Sequence, residues 1–174
     1  MGEESGITIE GRLLAPAPLS DSHDTSRFDC GKDALNDWLR NHAIESEGRT
    51  SRTYVVCEGR IVVGYYCISA GSVERSALPS RMKRAKGLPK HIPVTIIGRL
   101  ARDRSYRGTG LGADLLQDAL TRILSASRVV GSRAVLVHAL DDYATQFWKD
   151  NEFIECPIGS RTFFLPIDTI ADGL

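Results

Sequence analysis

Apolar residues recur at helical spacing through Leu35, Trp38, Leu39 and Ala43, with His42 beside them. That pattern predicts an amphipathic helix over residues 32–46. Asp29 or Asp33 stands near its start, where a carboxylate suits the unpaired N–H groups. Residues 53–57 and 60–70 are β-branched and aromatic runs separated by Glu58-Gly59, a hairpin pattern. A short first strand is expected over residues 7–14. Residues 72–93, with Pro79, Pro89 and Pro93, read as irregular. Residues 94–102 (VTIIGRLAR) predict another strand, and Gly98 suggests a bulge in it. Leu115, Leu116, Ala119, Leu120, Ile123 and Leu124 fall on one side of a helix predicted over 114–127. The continuous apolar run 134–140 (AVLVHAL) predicts a central strand buried on both faces. A short helix over 142–151 and a last strand over 161–167 complete the pattern, with Pro166 at an edge or near a strand end. This order predicts an α/β (α+β) sheet with helices on its faces. The 174 residues suit one domain spanning 1–174.

Composition narrows the class. Hydrophobic residues make up 42% and charged residues 25%, which excludes a disordered chain and a membrane protein. Cys30, Cys57, Cys67 and Cys156 contain no C-x-x-C pair, and the four His residues contain no H-x-x-x-H pair. No metal centre is expected. Neither a signal peptide nor a long apolar run is evident, and free thiols then suggest the cytoplasm. A net charge of zero argues at first against a nucleic-acid partner. Its distribution changes that view. Residues 75–107 hold ten Lys and Arg against the single acid Asp103, a net +9, so the remainder carries −9. Arg81, Lys83, Arg84, Lys86 and Lys90 form the centre of this segment. They are the candidates for tracking a nucleic-acid backbone.

The sharpest chemical motif is Arg107-Gly108-Thr109-Gly110-Leu111-Gly112, between an apolar strand and an amphipathic helix. Glycines let the backbone approach a ligand, and a helix N-terminus adds positive potential, which together suit a phosphate or pyrophosphate. Gly108-x-Gly110-x-x-Ala113 formally meets the dinucleotide fingerprint. Three features oppose that reading. Too little chain follows the motif, its strand follows a hairpin, and no acid lies about twenty residues further on. Arg107, Gly110 and Gly112 instead give R-x-x-G-x-G. This resembles the pyrophosphate loop of the GNAT acetyltransferase superfamily, which binds acetyl-coenzyme A.

The resemblance extends from about residue 8 to 167. It implies a mixed, mostly antiparallel, twisted sheet with a splayed central strand pair and helices on both faces. Leu100, Ala101 and Arg102 would be the strand edge that pairs with pantetheine. Arg107, Gly108, Thr109, Gly110, Leu111 and Gly112 would hold the pyrophosphate. The segment Ala144-Thr145-Gln146-Phe147-Trp148 to Glu152-Phe153 resembles the A-x-x-F-Y-x-x-x-G-F helix, whose Tyr serves the family as proton donor. Here Trp148 stands at that position and Glu152 at the Gly position. An indole N–H donates a hydrogen bond and exchanges no proton usefully near neutral pH. Water or the neighbouring Tyr143 is then the candidate proton source.

Further segments are similar to the GNAT toxins of type II toxin–antitoxin systems. They include Phe28-Asp29-Cys30-Gly31 before Leu35-x-x-Trp38-Leu39, and Gly98-Arg99-Leu100-Ala101-x-Asp103. Leu116-x-Asp118-Ala119-Leu120 and Val137-His138-Ala139 continue the match. The resemblance implies an acetyl-CoA-dependent N-acetyltransferase that acetylates the α-amino group of aminoacyl-tRNA and blocks translation. It also implies a small DNA-binding cognate antitoxin and a homodimer, with no membrane partner. Two alternatives stand beside it: a GNAT enzyme acting on a small amine or protein amine, and a catalytically silent CoA-binding relative.

Overall fold

A computed structural model describes residues 13–157 and 161–173. In chain order the elements are β1 (Ala17–Pro18), α1 (Asp33–Asn41), α2 (Ala43–Ser46), β2 (Arg52–Glu58), β3 (Ile61–Glu74), α3 (Ser80–Lys83), β4 (His91–Arg102), α4 (Leu111–Ser127), β5 (Ala134–His138), α5 (Asp142–Asp150), β6 (Ile154–Glu155), β7 (Thr162–Pro166) and α6 (Ile167–Gly173). Among the described residues, seven strands form one sheet in the order β1-β2-β3-β4-β5-β7-β6. The pairings β1–β2, β2–β3, β5–β7 and β6–β7 are antiparallel and β4–β5 is parallel. This is the mixed, mostly antiparallel sheet expected. Most of the first strand expected over residues 7–14 lies outside the described residues.

The chain divides into two compact units. Among the described residues, one comprises those up to Ser69 together with Arg99–Ala119, and the other comprises Ala70–Gly98 and those from Leu120 onward. In the first unit, β2 and β3 form the expected hairpin, pairing from Arg52↔Ile68 to Glu58↔Ile61 with a register shift between Val56 and Cys57. Its core gathers Leu19, Phe28, Leu39, Ala43, Val55, Val62, Tyr65 and Ala101. The helix expected over 32–46 is broken at His42 into α1 and α2. Trp38 stacks on Tyr65, whose hydroxyl donates to the Leu35 carbonyl at 2.7 Å. Burial pushes the Tyr65 phenol far up, which keeps it a neutral donor. The first turns of α4 lie on β3 because Gly64 has no side chain. A Cβ there would meet Leu115 Cδ1 at 3.1 Å and Leu111 Cδ2 at 3.3 Å.

The second unit has its own core of Leu78, Met82, Ile92, Val94, Ala134, Leu136, Cys156 and Phe164. The segment read as irregular is more ordered than expected. β3 continues to Glu74, a 3-10 turn follows at Arg75–Ala77, and β4 begins at His91. Buried Leu78 and Met82 pin this segment to the core. β5 lies between β4 and β7 with its first four residues buried, as the apolar run implied. Pro166 ends β7, whereas the two-residue β6, absent from the sequence pattern, takes the outer place.

Candidate functional site

The parallel register of β4 with β5 runs from Val94↔Ala134 to Ile97↔Val137. β4 continues past it through Leu100, Ala101 and Arg102. Ala101 is buried in the first core, while Leu100 and Arg102 are half-buried. At the end of the strand the Asp103 N–H donates to the Val63 carbonyl at 2.7 Å. A 3-10 turn at Arg104–Tyr106 then leads into the glycine turn.

Gly108 and Gly110 adopt φ of +75° and +86°, the left-handed region that other L-residues enter only under strain. No atom lies within 4 Å of where a Cβ would stand on either, so the turn opens onto free space. The bond from Asp114 N–H to the Gly110 carbonyl, 3.0 Å, closes the first turn of α4. Among the described residues, the N–H groups of Gly108, Gly110, Gly112 and Ala113 make no hydrogen bond. They are the orphan donors of a 17-residue helix and the loop before it. Thr109 braces the turn from within. Its hydroxyl donates to the Tyr106 carbonyl at 2.6 Å, and the Leu111 N–H approaches its oxygen at 3.4 Å. The exposed Arg107 side chain makes no ion pair among the described residues. Unpaired N–H groups, an open cradle and a free guanidinium fit a pyrophosphate.

Trp148 and Tyr143 lie on different faces of α5. Tyr143 is 72% exposed on the first turn, and Trp148 is 6% exposed near the last. The Asp141 carboxylate caps the N-terminus, accepting from the Ala144 N–H at 2.8 Å. The C-terminus closes with the Phe153 N–H on the Trp148 carbonyl and the Glu152 N–H on the Lys149 carbonyl, both 3.1 Å. This is a Schellman motif, and its usual apolar contact joins Trp148 to Phe153 at 5.0 Å between ring centroids. Glu152 occupies the left-handed position at φ +68°. The aromatic and glycine positions of the motif are thus explained by helix termination.

Arg81 and Lys83 project from α3, Arg84 and Lys86 follow it, and Lys90 precedes β4, all exposed. None makes an ion pair among the described residues. Lys83 and Lys90 line an open groove of about 440 Å³ with Glu74, Arg75 and Ser76. The sequence reading missed Arg75 as a groove residue, although it opens the basic segment. Arg104, also in that segment, is held by Asp29 at 3.1 Å.

All four cysteines are free, with Cys57, Cys67 and Cys156 buried. Burial raises the Cys57 thiol to about 11. No cluster of metal-ligating side chains occurs among the described residues.

A strand that outruns its parallel neighbour and delivers an open glycine turn to a helix N-terminus is the arrangement that the resemblance to the GNAT acyltransferases implied. No family model matches the chain. The tRNA-acetylating toxin of Mycobacterium tuberculosis (strain ATCC 25618 / H37Rv) is 40% identical over 140 residues, covering 80% of this chain and 83% of the relative. A Tyr-to-Phe mutant of KacT superposes with a TM-score of 0.87 at 31% identity, covering 94% of this chain and all of KacT. AtaT complexed with acetyl-methionyl-tRNAfMet gives 0.84 at 37% identity, covering 91% and 97%. Other AtaT structures hold acetyl-CoA or the C-terminus of the antitoxin AtaR. The chain belongs to the GNAT toxins of type II toxin–antitoxin systems.

Proposed function

We propose that this chain is an acetyl-CoA-dependent N-acetyltransferase toxin that acetylates the α-amino group of aminoacyl-tRNA and so blocks translation. The observation that carries this reading is the glycine turn, with its open left-handed glycines and four unbonded N–H groups. Gly108, Gly110 and Gly112, with Arg107, hold the pyrophosphate of acetyl-CoA. The edge formed by Leu100, Ala101 and Arg102 holds the pantetheine arm. Arg81, Lys83, Arg84, Lys86 and Lys90 contact tRNA phosphates, and the groove between Lys83 and Lys90 supports this assignment. Residues 1–174 act as one acetyltransferase domain.

The chemistry asks mainly for positioning. An α-amino group has a pKa of about 7.7–8.0, so a useful fraction is neutral at pH 7. Its nitrogen attacks the thioester carbonyl, a C–N bond forms and the C–S bond breaks. A backbone N–H on β4 stabilises the oxyanion. The thiolate leaves readily, since a thiol of this kind has a pKa of about 8.5. Water protonates it, and the proton lost by the ammonium goes to solvent. Trp148 packs the end of α5 and moves no proton.

The partners follow from kinship. Solved complexes of KacT and AtaT include antitoxin and DNA. We assign this chain a small DNA-binding antitoxin on that basis, and a homodimeric state from the family resemblance alone. Among the described residues no helix is long and apolar enough to cross a membrane.

One observation favours a second reading, a CoA-binding relative without turnover: the buried Trp148 stands where the family has its Tyr. Labelled acetyl-CoA incubated with charged, uncharged and N-blocked tRNA separates the two. Label on charged tRNA alone supports the enzyme. No label on any acceptor supports the silent relative, and label on protein or small amines supports a different GNAT activity.

A further inference from the structure

The Phe28-Asp29-Cys30-Gly31 turn lies far in sequence from the glycine turn, and the functional reading above gives it no task. The structure ties the two together inside the first unit. The Asp29 N–H donates to Asp103 Oδ2 at 3.0 Å across 74 residues of sequence. The Arg104 N–H returns the contact to the Asp29 carbonyl at 2.9 Å. Arg104 Nη2 also lies 3.1 Å from Asp29 Oδ2. The other carboxylate oxygen, Asp29 Oδ1, accepts from the Gly31 N–H at 2.9 Å and from Asn36 Nδ2 at 3.1 Å. Asn36 Oδ1 accepts in turn from the Cys30 N–H at 2.9 Å. Asp103 Oδ1 holds the N–H and hydroxyl of Ser105 at 3.0 and 2.8 Å.

The contacts continue toward the ligand site. The Tyr106 N–H donates to the Asp103 carbonyl and the Arg107 N–H to the Arg104 carbonyl. The Tyr106 carbonyl receives the Thr109 hydroxyl, and the Tyr106 hydroxyl donates to Glu58. The segment between β4 and α4 has no sheet ladder to fix it. Its place is set by the Val63 carbonyl together with Asp29 at one end and by Glu58 at the other.

We propose that Asp29 is a positioning residue for acetyl-CoA: through Asp103 and Arg104 it fixes the segment that presents the pyrophosphate turn. The inference rests on the acetyl-CoA reading above. The Asp29–Arg104 pair is well exposed, so it adds little to global stability. Its contribution is orientation. Unpaired N–H groups stabilise a phosphate only when they converge on it before it binds. The Gly31 N–H foremost, then Asn36, hold the Asp29 carboxyl below its usual range, so the brace is charged wherever the substrate amine is reactive.

The test compares two thioesters with the same charged tRNA: acetyl-CoA, and S-acetylpantetheine, which lacks the pyrophosphate. Wild type prefers acetyl-CoA. Asp29→Asn removes the charge that faces Arg104 and leaves the two backbone bonds in place, so that preference in kcat/KM falls about threefold, the scale of one exposed ion pair, through the KM for acetyl-CoA. Arg104→Met keeps the side-chain stem, removes the charge and reproduces the loss. A purely structural role would lower both thioesters together and leave their ratio unchanged. An unchanged ratio in these variants, in an enzyme whose wild type discriminates, overturns the inference. A wild type that does not discriminate overturns the acetyl-CoA reading itself.

Discussion

In the proposed function the glycine turn and the basic cluster on α3 and just after it both meet phosphate, by opposite means. The turn uses backbone N–H groups whose directions are fixed by left-handed glycines, a helix start and the brace running to Asp29. Arg81, Lys83, Arg84, Lys86 and Lys90 are long exposed side chains without ion pairs among the described residues. The first is preorganised and short in range, and suits one small polyanion in one pose. The second is diffuse and screened by salt, and suits a backbone of many phosphates. Charge alone therefore separates no ligand here. Who holds the donors, and how firmly, does.

The strongest way to break this contrast is a methyl group in the turn. Gly110→Ala forces a side chain into φ +86° and into the open phosphate space. Strain of about 1–3 kcal/mol corresponds to about 5- to 150-fold, so acetyl-CoA kcat/KM falls within that range. The tRNA Kd, measured in parallel by filter binding, stays within about twofold, since the turn makes no long-range field. The reciprocal change is Lys83→Ala/Arg84→Ala/Lys86→Ala. It weakens tRNA binding about tenfold at physiological salt and lowers the salt slope by about 2. The KM for acetyl-CoA does not move. Loss of cofactor affinity in this variant would merge the two regions.

A smaller effect tests whether gripping suffices for rate. Trp148→Phe keeps an aromatic ring against Phe153, so kcat stays within about twofold while stability falls by about 1 kcal/mol. A large loss of kcat in a folded variant would return Trp148 to the chemistry. The smallest effect is in acid. Asp29 has a folded pKa below its unfolded value, through the Gly31 N–H first and Asn36 second. Its stabilisation is complete above the unfolded carboxylate pKa and drains away as pH falls through the lowered value. Thermal denaturation across the acid range therefore gives a shallower acid limb for Asp29→Asn.

Much of this was legible in the chain. The apolar periodicities located the hairpin, α4, β5 and α5, because each buries a continuous face. The glycine spacing located the turn, because only glycine enters the left-handed region at no steric cost. The helix break at His42 left no such trace, and neither did β6, which is two residues long. The brace was half legible. Asp103 sits in a recognisable strand-end motif, but its partner Asp29 is 74 residues away and meets it through backbone atoms that no side-chain pattern encodes. Trp148 shows the converse. Its helix motif was visible, yet its role as the apolar contact of a Schellman motif depends on Glu152 at φ +68° and on the hydrogen bonds around it. The basic segment was plain as charge, while the groove that gathers Arg75, Lys83 and Lys90 needed the fold.

In the proposed reaction, acetyl leaves coenzyme A for the α-amino group of an amino acid esterified to tRNA. Tandem mass spectrometry of the aminoacyl-adenosine released by nuclease, after reaction with acetyl-CoA, tests it directly. One added acetyl group on the α-nitrogen is expected, dependent on both acetyl-CoA and the charged state of the tRNA. Unmodified aminoacyl-adenosine with acetyl-CoA intact, or acetyl found on a different acceptor, would contradict it.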